Sequence, residues 1–226
     1  WKKSVSNQRK SFQRGRARDT LQGAAILVVT EGEVTEPTYF NAIKRKLAAS
    51  TVELVAHGEG KGDPEKLTNC ALRLRDERRR KARKGQLSIT QVADFDQIWI
   101  VFDAEVLSRE QLRNGIEYAQ NQKIRIVFSY PCFEFWLLLH CEYTTAPMDK
   151  CEEAVTRLEK GLQITYQKDR EQAKRLIPPL VEYLEAAMVN ADRVRKHHEV
   201  AATALPRNPS TDVDKLIEFI NEAAPP

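Results

Sequence analysis

The sequence lacks the features that define several common classes of protein. It has four cysteines in 226 residues and no C-x-x-C pair, so a zinc ribbon is not predicted and the cysteines are interpreted as reduced thiols. The longest apolar runs, residues 24–29 and 135–139, are far shorter than the ~18 residues of a membrane-spanning helix. No secretory signal core follows the basic N-terminus. A cytoplasmic protein without a membrane partner is therefore expected.

The sequence also lacks the phosphate-binding loop of nucleotide hydrolases. The segment 58–62 reads GEGKG, which has neither the spacing nor the register of G-x-x-x-x-G-K-[ST]. Nucleotide hydrolysis by this chain is therefore not expected. The glycine-rich segment is interpreted as a mobile loop that can approach a phosphate, with Lys61 as a contact.

Excess charge of one sign is small overall but is concentrated in two places. The net charge is +4, whereas the first 18 residues carry seven Lys or Arg and no acid, which predicts a flexible basic arm over residues 1–20. Residues 73–84 hold eight basic side chains against two acids. This second cluster is either a solvated helix face or a phosphate-contacting surface. The nucleic-acid-binding candidates within it are Arg78, Arg79, Arg80 and Lys81.

Alternation of short apolar runs with longer amphipathic stretches predicts an α/β fold with a parallel sheet flanked by helices. The expected strands lack strict polar alternation, as is typical when helices cover both faces; they span 24–30, 52–57, 97–102 and 124–129. The expected helices, with start signals at Thr35, Asp63 and Ser108, span 36–48, 64–84, 108–121 and 132–140. Together these elements form a predicted core over residues 21–145.

The remaining residues, 146–226, predict a helical C-terminal segment. Helices are expected at 150–160, 170–176 and 178–198, and a last one after Ser210 or Thr211. The pattern leaves open whether this segment packs on the sheet or forms a separate lobe.

Acidic side chains follow two of the predicted strands. The first strand ends in Glu31-Gly-Glu33, and the third ends in Asp103-Ala-Glu105. Because the carboxyl ends of parallel strands face one crevice, these carboxylates are expected to lie close together, and oxygen-only ligands favour Mg²⁺ or Mn²⁺. The alternative is that each acid only caps the helix that follows its strand.

The fourth strand leads into a segment with three further candidates. Glu134 falls in the first turn of a helix at the crevice edge, where it is either a metal or water ligand or a cap for backbone amides. His140 is either a general base or a histidine placed against the helix dipole. Cys132 is a weaker candidate nucleophile, because no base is paired with it in the sequence.

Taken together, these motifs resemble the RloB-like proteins, in that family's order and over most of the chain from about residue 16. The segments that carry the resemblance are EGEVTEPTYF (31–40), WIVFDAE (99–105), SYPCFEFW (129–136) with His140, and NPST (208–211). The family is similar to Toprim proteins, which have a small parallel sheet, a glutamate after one strand and an acidic D-x-D after another. This chain differs from the usual family pattern in having Glu105 in place of the second aspartate and Tyr130 in place of an asparagine.

The resemblance implies a metal-dependent endonuclease acting on DNA or RNA, found beside ATPases of the ABC type in two-component phage defence. In that reading Asp103 and Glu105 hold Mg²⁺, Glu31 is a ligand or general base, and Glu33 or Glu134 serves a second metal. The alternative is a catalytically impaired Toprim-like scaffold subunit that partners the ATPase, which the change at Glu105 favours. Nucleic acid and the ATPase are the expected partners, and a homo-oligomer is compatible with the sequence.

Overall fold

The protein, represented by a computed structural model, is described over residues 24–47, 52–60, 63–88, 91–105, 107–201 and 206–224. The predicted basic arm and Lys61 lie outside these ranges. Strands and helices alternate first: β1 (Ala25–Thr30), α1 (Thr35–Lys46), β2 (Glu53–Gly58), α2 (Pro64–Arg83), β3 (Gln97–Asp103), α3 (Arg109–Asn121), β4 (Arg125–Tyr130) and α4 (Phe133–Leu138). Helices then dominate: α5 (Cys151–Leu162), α6 (Arg170–Leu180), a 3₁₀ turn (Val181–Tyr183), α7 (Leu184–Val200), the two-residue β5 (Ser210–Thr211) and α8 (Val213–Ala223).

The sheet has the strand order β2-β1-β3-β4-β5, with the first four strands parallel and β5 antiparallel to β4. All six residues of β1 are buried, because helices cover both faces of the sheet. Ile26 and Val28 pack into one apolar cluster, whereas Leu27 and Val29 pack into another with α2 and α3. Full burial of each such side chain contributes ~1.5–3 kcal/mol. The α/β class predicted from the sequence is confirmed.

Two of the predicted helix starts have the local hydrogen bonds that the sequence indicates. The Asp63 carboxylate accepts from the Lys66 N–H at 2.9 Å, with Pro64 in the first turn of α2. Ser108 forms a reciprocal capping box with Gln111 at the start of α3. Caps of this kind typically stabilise a helix by ~1 kcal/mol.

The C-terminal helices pack on the sheet face that α1 and α4 cover. Leu158 of α5, Ile177 of α6 and Leu216 of α8 are buried in the same apolar cluster as Ile26 of β1. The break expected before Pro178 is wrong, since α6 continues to Leu180. Both prolines of α6 lie in its last turn, where few backbone bonds are lost, and the tighter 3₁₀ turn follows.

The expectation of four reduced thiols is wrong for one pair, because Cys132 and Cys151 form a disulfide with a Cα–Cα distance of 5.4 Å. The cysteines are 19 residues apart in the sequence, and only the packing of α4 against α5 brings them together. Cys132 therefore has no free thiol to act as a nucleophile. Cys70 and Cys141 are free.

Within the described part of the chain, none of the helices combines the length and apolar character needed to cross a bilayer.

Candidate metal centre

The path of the chain through the sheet creates a crevice between β1 and β3. After β1 the chain moves outward to β2, and then crosses back over β1 to form β3 on the other side. In open parallel sheets, ligands bind at the carboxyl ends of the strands where the direction of winding reverses. Glu31 directly follows β1, and Asp103 is the last residue of β3. Both acids therefore flank the switch point.

Backbone amides hold these two carboxylates in place. The Asp103 N–H donates to Oε2 of Glu31 at 3.1 Å, and the Phe133 N–H at the start of α4 donates to Oδ1 of Asp103 at 2.9 Å. The backbone of Glu31 is itself fixed to β3, since its N–H donates to the Val101 carbonyl at 2.9 Å. The sheet and α4 together therefore determine where the two acids lie.

Two more glutamates, both in the first turns of helices, join this crevice. Glu36 of α1 is 7% exposed and accepts from the Gly32 N–H at 2.9 Å, while Glu134 of α4 is 1% exposed. A Cβ at position 32 would collide with the Glu36 carboxylate, so the glycine allows this close approach. Glu36 was not among the predicted site residues. Its position beside the Glu-Gly pair was the signal available, but it matched an ordinary helix-start acid.

The electrostatics show that these acids act on one another. Burial, followed by repulsion from Glu134, raises the pKa of Glu36 to about 7. Burial also raises the pKa of Asp103 well above its usual range, with Glu134, Glu36 and Glu31 adding to the effect. Burial likewise raises the pKa of Glu31. Such a cluster favours a cation or a proton at neutral pH.

The segment between α5 and α6 supplies one positive charge to this cluster of acids. Lys168 Nζ lies 2.9 Å from Oε1 of Glu134, and the Tyr166 hydroxyl donates to the same oxygen at 3.0 Å. Burial alone would lower the pKa of Lys168, but the attraction of Glu134, Asp103 and nearby Glu36 raises it. Sequence reasoning missed Tyr166 and Lys168, because nothing local connects them to carboxylates more than 30 residues away.

The other two acidic candidates lie outside this group of carboxylates, although the charge of Glu105 still acts on Glu31 and, after burial, adds to the rise in the pKa of Glu31. Glu105 accepts from the Cys151 N–H at 2.7 Å, so its carboxylate caps the start of α5. The exposed Glu33 lies over Gly60, towards β2 and thus on the opposite side of β1 from Asp103. The metal-ligand roles of Glu105 and Glu33 remain predictions.

The acids of the crevice fit a hard divalent cation, because the negatively charged ligand atoms that they offer are carboxylate oxygens. The oxygens are not, however, a ready-made ligand set. In the described ranges, two groups of three ligand-type side chains have ligand atoms within 4.8 Å of one another: His57/Glu59/Cys70 and Cys132/Glu134/Cys151. Glu134 belongs to the second group, but no three of the crevice acids form one. The second includes the disulfide sulfurs, and in the first the Arg73 guanidinium already pairs with Glu59.

The predicted nucleic-acid contacts on α2 lie towards the amino-terminal ends of the strands, away from the crevice. Arg78 is buried, bonds the Val92 carbonyl and pairs with Glu53 at the start of β2, so it stabilises the fold and is not available to a phosphate. Arg79 pairs with Asp94, whereas Arg80 and Lys81 are exposed. With a rise of 1.5 Å per residue, these side chains lie about 20–25 Å along α2 from its crevice end.

His140 is a core side chain and is not placed to act as a general base. It is 3% exposed, its Nδ1 donates to the Trp136 carbonyl at 3.1 Å, and its Nε2 accepts from the Tyr39 hydroxyl at 3.1 Å. Burial lowers the pKa of His140 from 6.5 to about 4. The ring is therefore neutral across the physiological range.

This histidine should make the protein less stable in acid. Because the pKa is lower in the folded state, the unfolded chain binds the proton first, and the stability present above pH 6.5 is lost as the pH falls towards 4. Between pH 7 and 4.5 we expect the free energy of unfolding to fall by about 2 kcal/mol more in the wild type than in His140→Gln. Urea titrations of both proteins measure this difference, and the carboxylates that titrate in the opposite direction cancel in it. A difference that does not change with pH would contradict a neutral buried ring.

The fold and the site define a class: α/β proteins with an acidic crevice at the switch point of a parallel sheet and a lysine drawn in from a helical C-terminal segment. The family model described as RloB-like protein matches residues 26–220, so the chain belongs to the RloB-like family, as its motifs predicted. Searches of curated proteins and of solved structures give no match.

Proposed function

We propose that the protein is a Mg²⁺-dependent endonuclease that hydrolyses phosphodiester bonds of DNA or RNA. The observation that carries the proposal is a group of four carboxylates at the switch point of the sheet, in which Asp103 is repelled by Glu31, Glu36 and Glu134, and Glu36 by Glu134. Membership of the RloB-like family supports a role as the effector of a two-component antiphage system with an ABC-type ATPase.

In this function Asp103 and Glu31 would hold the metal, with Glu134 and Glu36 beside them. When bound, Mg²⁺ or Mn²⁺ would stabilise charge on the phosphate and lower the pKa of a water molecule. The pKa of Glu36 is about 7 without a metal, and a bound dication would lower it, so Glu36 would be charged and able to accept a proton from the attacking water at neutral pH. Glu105 accepts from the Cys151 N–H and would therefore act on the metal only through its charge. It would become a ligand only by giving up that hydrogen bond.

The direct test is cleavage by the purified chain. Single- and double-stranded DNA and tRNA are incubated with the protein in Mg²⁺, Mn²⁺ or EDTA, with and without a candidate ABC-type ATPase from the same genome. We expect cleavage of at least one substrate in Mg²⁺ or Mn²⁺ and none in EDTA. Cleavage that persists in EDTA would rule out the metal mechanism.

A second candidate function is a scaffold subunit that keeps the fold and recruits the ATPase without cutting. The cap that Glu105 provides for α5 favours it, because the acid at the second position of the D-x-D pattern is occupied by a structural bond. If the protein binds the ATPase but no substrate is cut with either metal, this function replaces the nuclease.

A further inference from the structure

The lysine in the crevice comes from outside the α/β core. Lys168 lies in the seven residues between α5 and α6, and this segment is fixed on both sides of it. The Tyr166 N–H donates to Glu159 of α5 at 2.7 Å, and Asp169 caps α6 by accepting from the Gln172 N–H at 2.8 Å. The backbone at position 168 is therefore held at the crevice, and the long side chain reaches from it to Glu134.

The Lys168 side chain enters the crevice from the solvent. It is 57% exposed, whereas the Glu134 side chain that it contacts is 2% exposed. Its ammonium also acts electrostatically on Asp103, Glu36 and Glu31, which are the same acids that would surround a metal ion. The ammonium and a divalent cation would therefore compete for one set of charges.

We propose that Lys168 is a catalytic cation that exchanges position with the metal: its ammonium offsets part of the carboxylate charge when no metal is bound, and contacts the scissile phosphate when a metal ion replaces it beside the carboxylates. A lysine ammonium is a compact point charge that binds phosphate oxygens, and its flexible stem can span two positions. The inference rests on the proposed nuclease function.

The exchange predicts opposite effects on metal binding and on cleavage. In Lys168→Ala we expect Mn²⁺, measured by calorimetry, to bind several-fold more tightly, because a competing cation is gone. The same variant should cut the substrate of the wild-type protein on the order of 10²-fold more slowly, because the ammonium that contacts the phosphate is lost. In EDTA it should melt several degrees lower, because Glu134 loses its counter-ion.

Two variants separate this role from a structural one. Lys174→Ala removes an exposed lysine of α6 and should change none of the three measurements. Tyr166→Phe removes the other bond to Glu134 while leaving the charge, so it should not tighten Mn²⁺ binding. Weaker or unchanged Mn²⁺ binding in Lys168→Ala would overturn the competition, and an unchanged cleavage rate would overturn the phosphate contact. If the wild type cuts nothing while Lys168→Ala still binds Mn²⁺ more tightly, the nuclease function fails and the competition stands.

Discussion

Replacing Asp103 with asparagine should abolish cleavage and, at the same time, make the metal-free protein more stable. Asparagine keeps the shape of the side chain and can still accept from the Phe133 N–H, but it removes a charge that burial disfavours and that Glu134, Glu36 and Glu31 repel. We expect cleavage to fall by on the order of 10³-fold, because the variant lacks the charge that attracts the metal. The melting temperature in EDTA should rise by about 3 °C for each kcal/mol by which burial and repulsion of this charge destabilise the folded protein.

Thermal melting with and without Mg²⁺ completes this experiment. Mg²⁺ should raise the melting temperature of the wild type and leave that of Asp103→Asn unchanged. The matched control is Asp192→Asn on α7, where the aspartate pairs with Lys196 and its side chain is 47% exposed. It should behave like the wild type in both assays. Asp103→Asn cleaving within tenfold of the wild-type rate would exclude Asp103 from the chemistry.

Reduction of the Cys132–Cys151 disulfide should lower the free energy of unfolding by more than the titration of His140 does. The bond closes a segment with a sequence separation of 19. In the chain-entropy model a loop of this length contributes about 3 kcal/mol, which corresponds to about 6–12 °C in melting temperature for a domain of this size. Denaturant unfolding with and without reductant measures it. The start of α5, where the Cys151 N–H holds Glu105, should loosen first.

Cysteine variants assign this effect to the bond. Cys132→Ser/Cys151→Ser should be as unstable as the reduced wild type and should not respond to reductant. Cys141→Ser, which changes a free cysteine, should respond as the wild type does. Titration of thiols in denaturant should find two before reduction and four after it. Four thiols before reduction would show that the bond does not form.

The four strands of the parallel sheet could be predicted to within about one residue, because the strands covered on both faces are continuous apolar runs. The β5 strand could not, since Ser210 and Thr211 have no apolar pattern and are held by pairing with β4 and by the 2.8 Å bond between the Thr211 and Ser129 hydroxyls. The pairing of Cys132 with Cys151 could not be predicted either, because the spacing of cysteines along the chain does not show that α4 packs against α5.

The candidate site could be predicted only where topology alone determines position. Glu31 and Asp103 follow neighbouring parallel strands, and strand order brings them together. Glu105 was expected to lie close to Glu31 and Asp103, but β3 ends at Asp103, so the strand does not determine the direction of the side chain two residues later. Lys168 depends on how the C-terminal helices pack, which involves contacts between distant segments and leaves no local periodicity.

The direction of α2 sets the minimum length of a nucleic acid that can contact both the acidic crevice and the basic end of this helix. Its crevice end lies near the carboxylates, and the exposed Arg80 and Lys81 lie near its far end. At 3.4 Å per base pair, a distance of about 20–25 Å corresponds to about six or seven base pairs. For a nuclease built on this fold, a duplex shorter than about six base pairs could reach the crevice but not the basic end of α2. The length of substrate protected from other nucleases would therefore report which of the two regions is occupied.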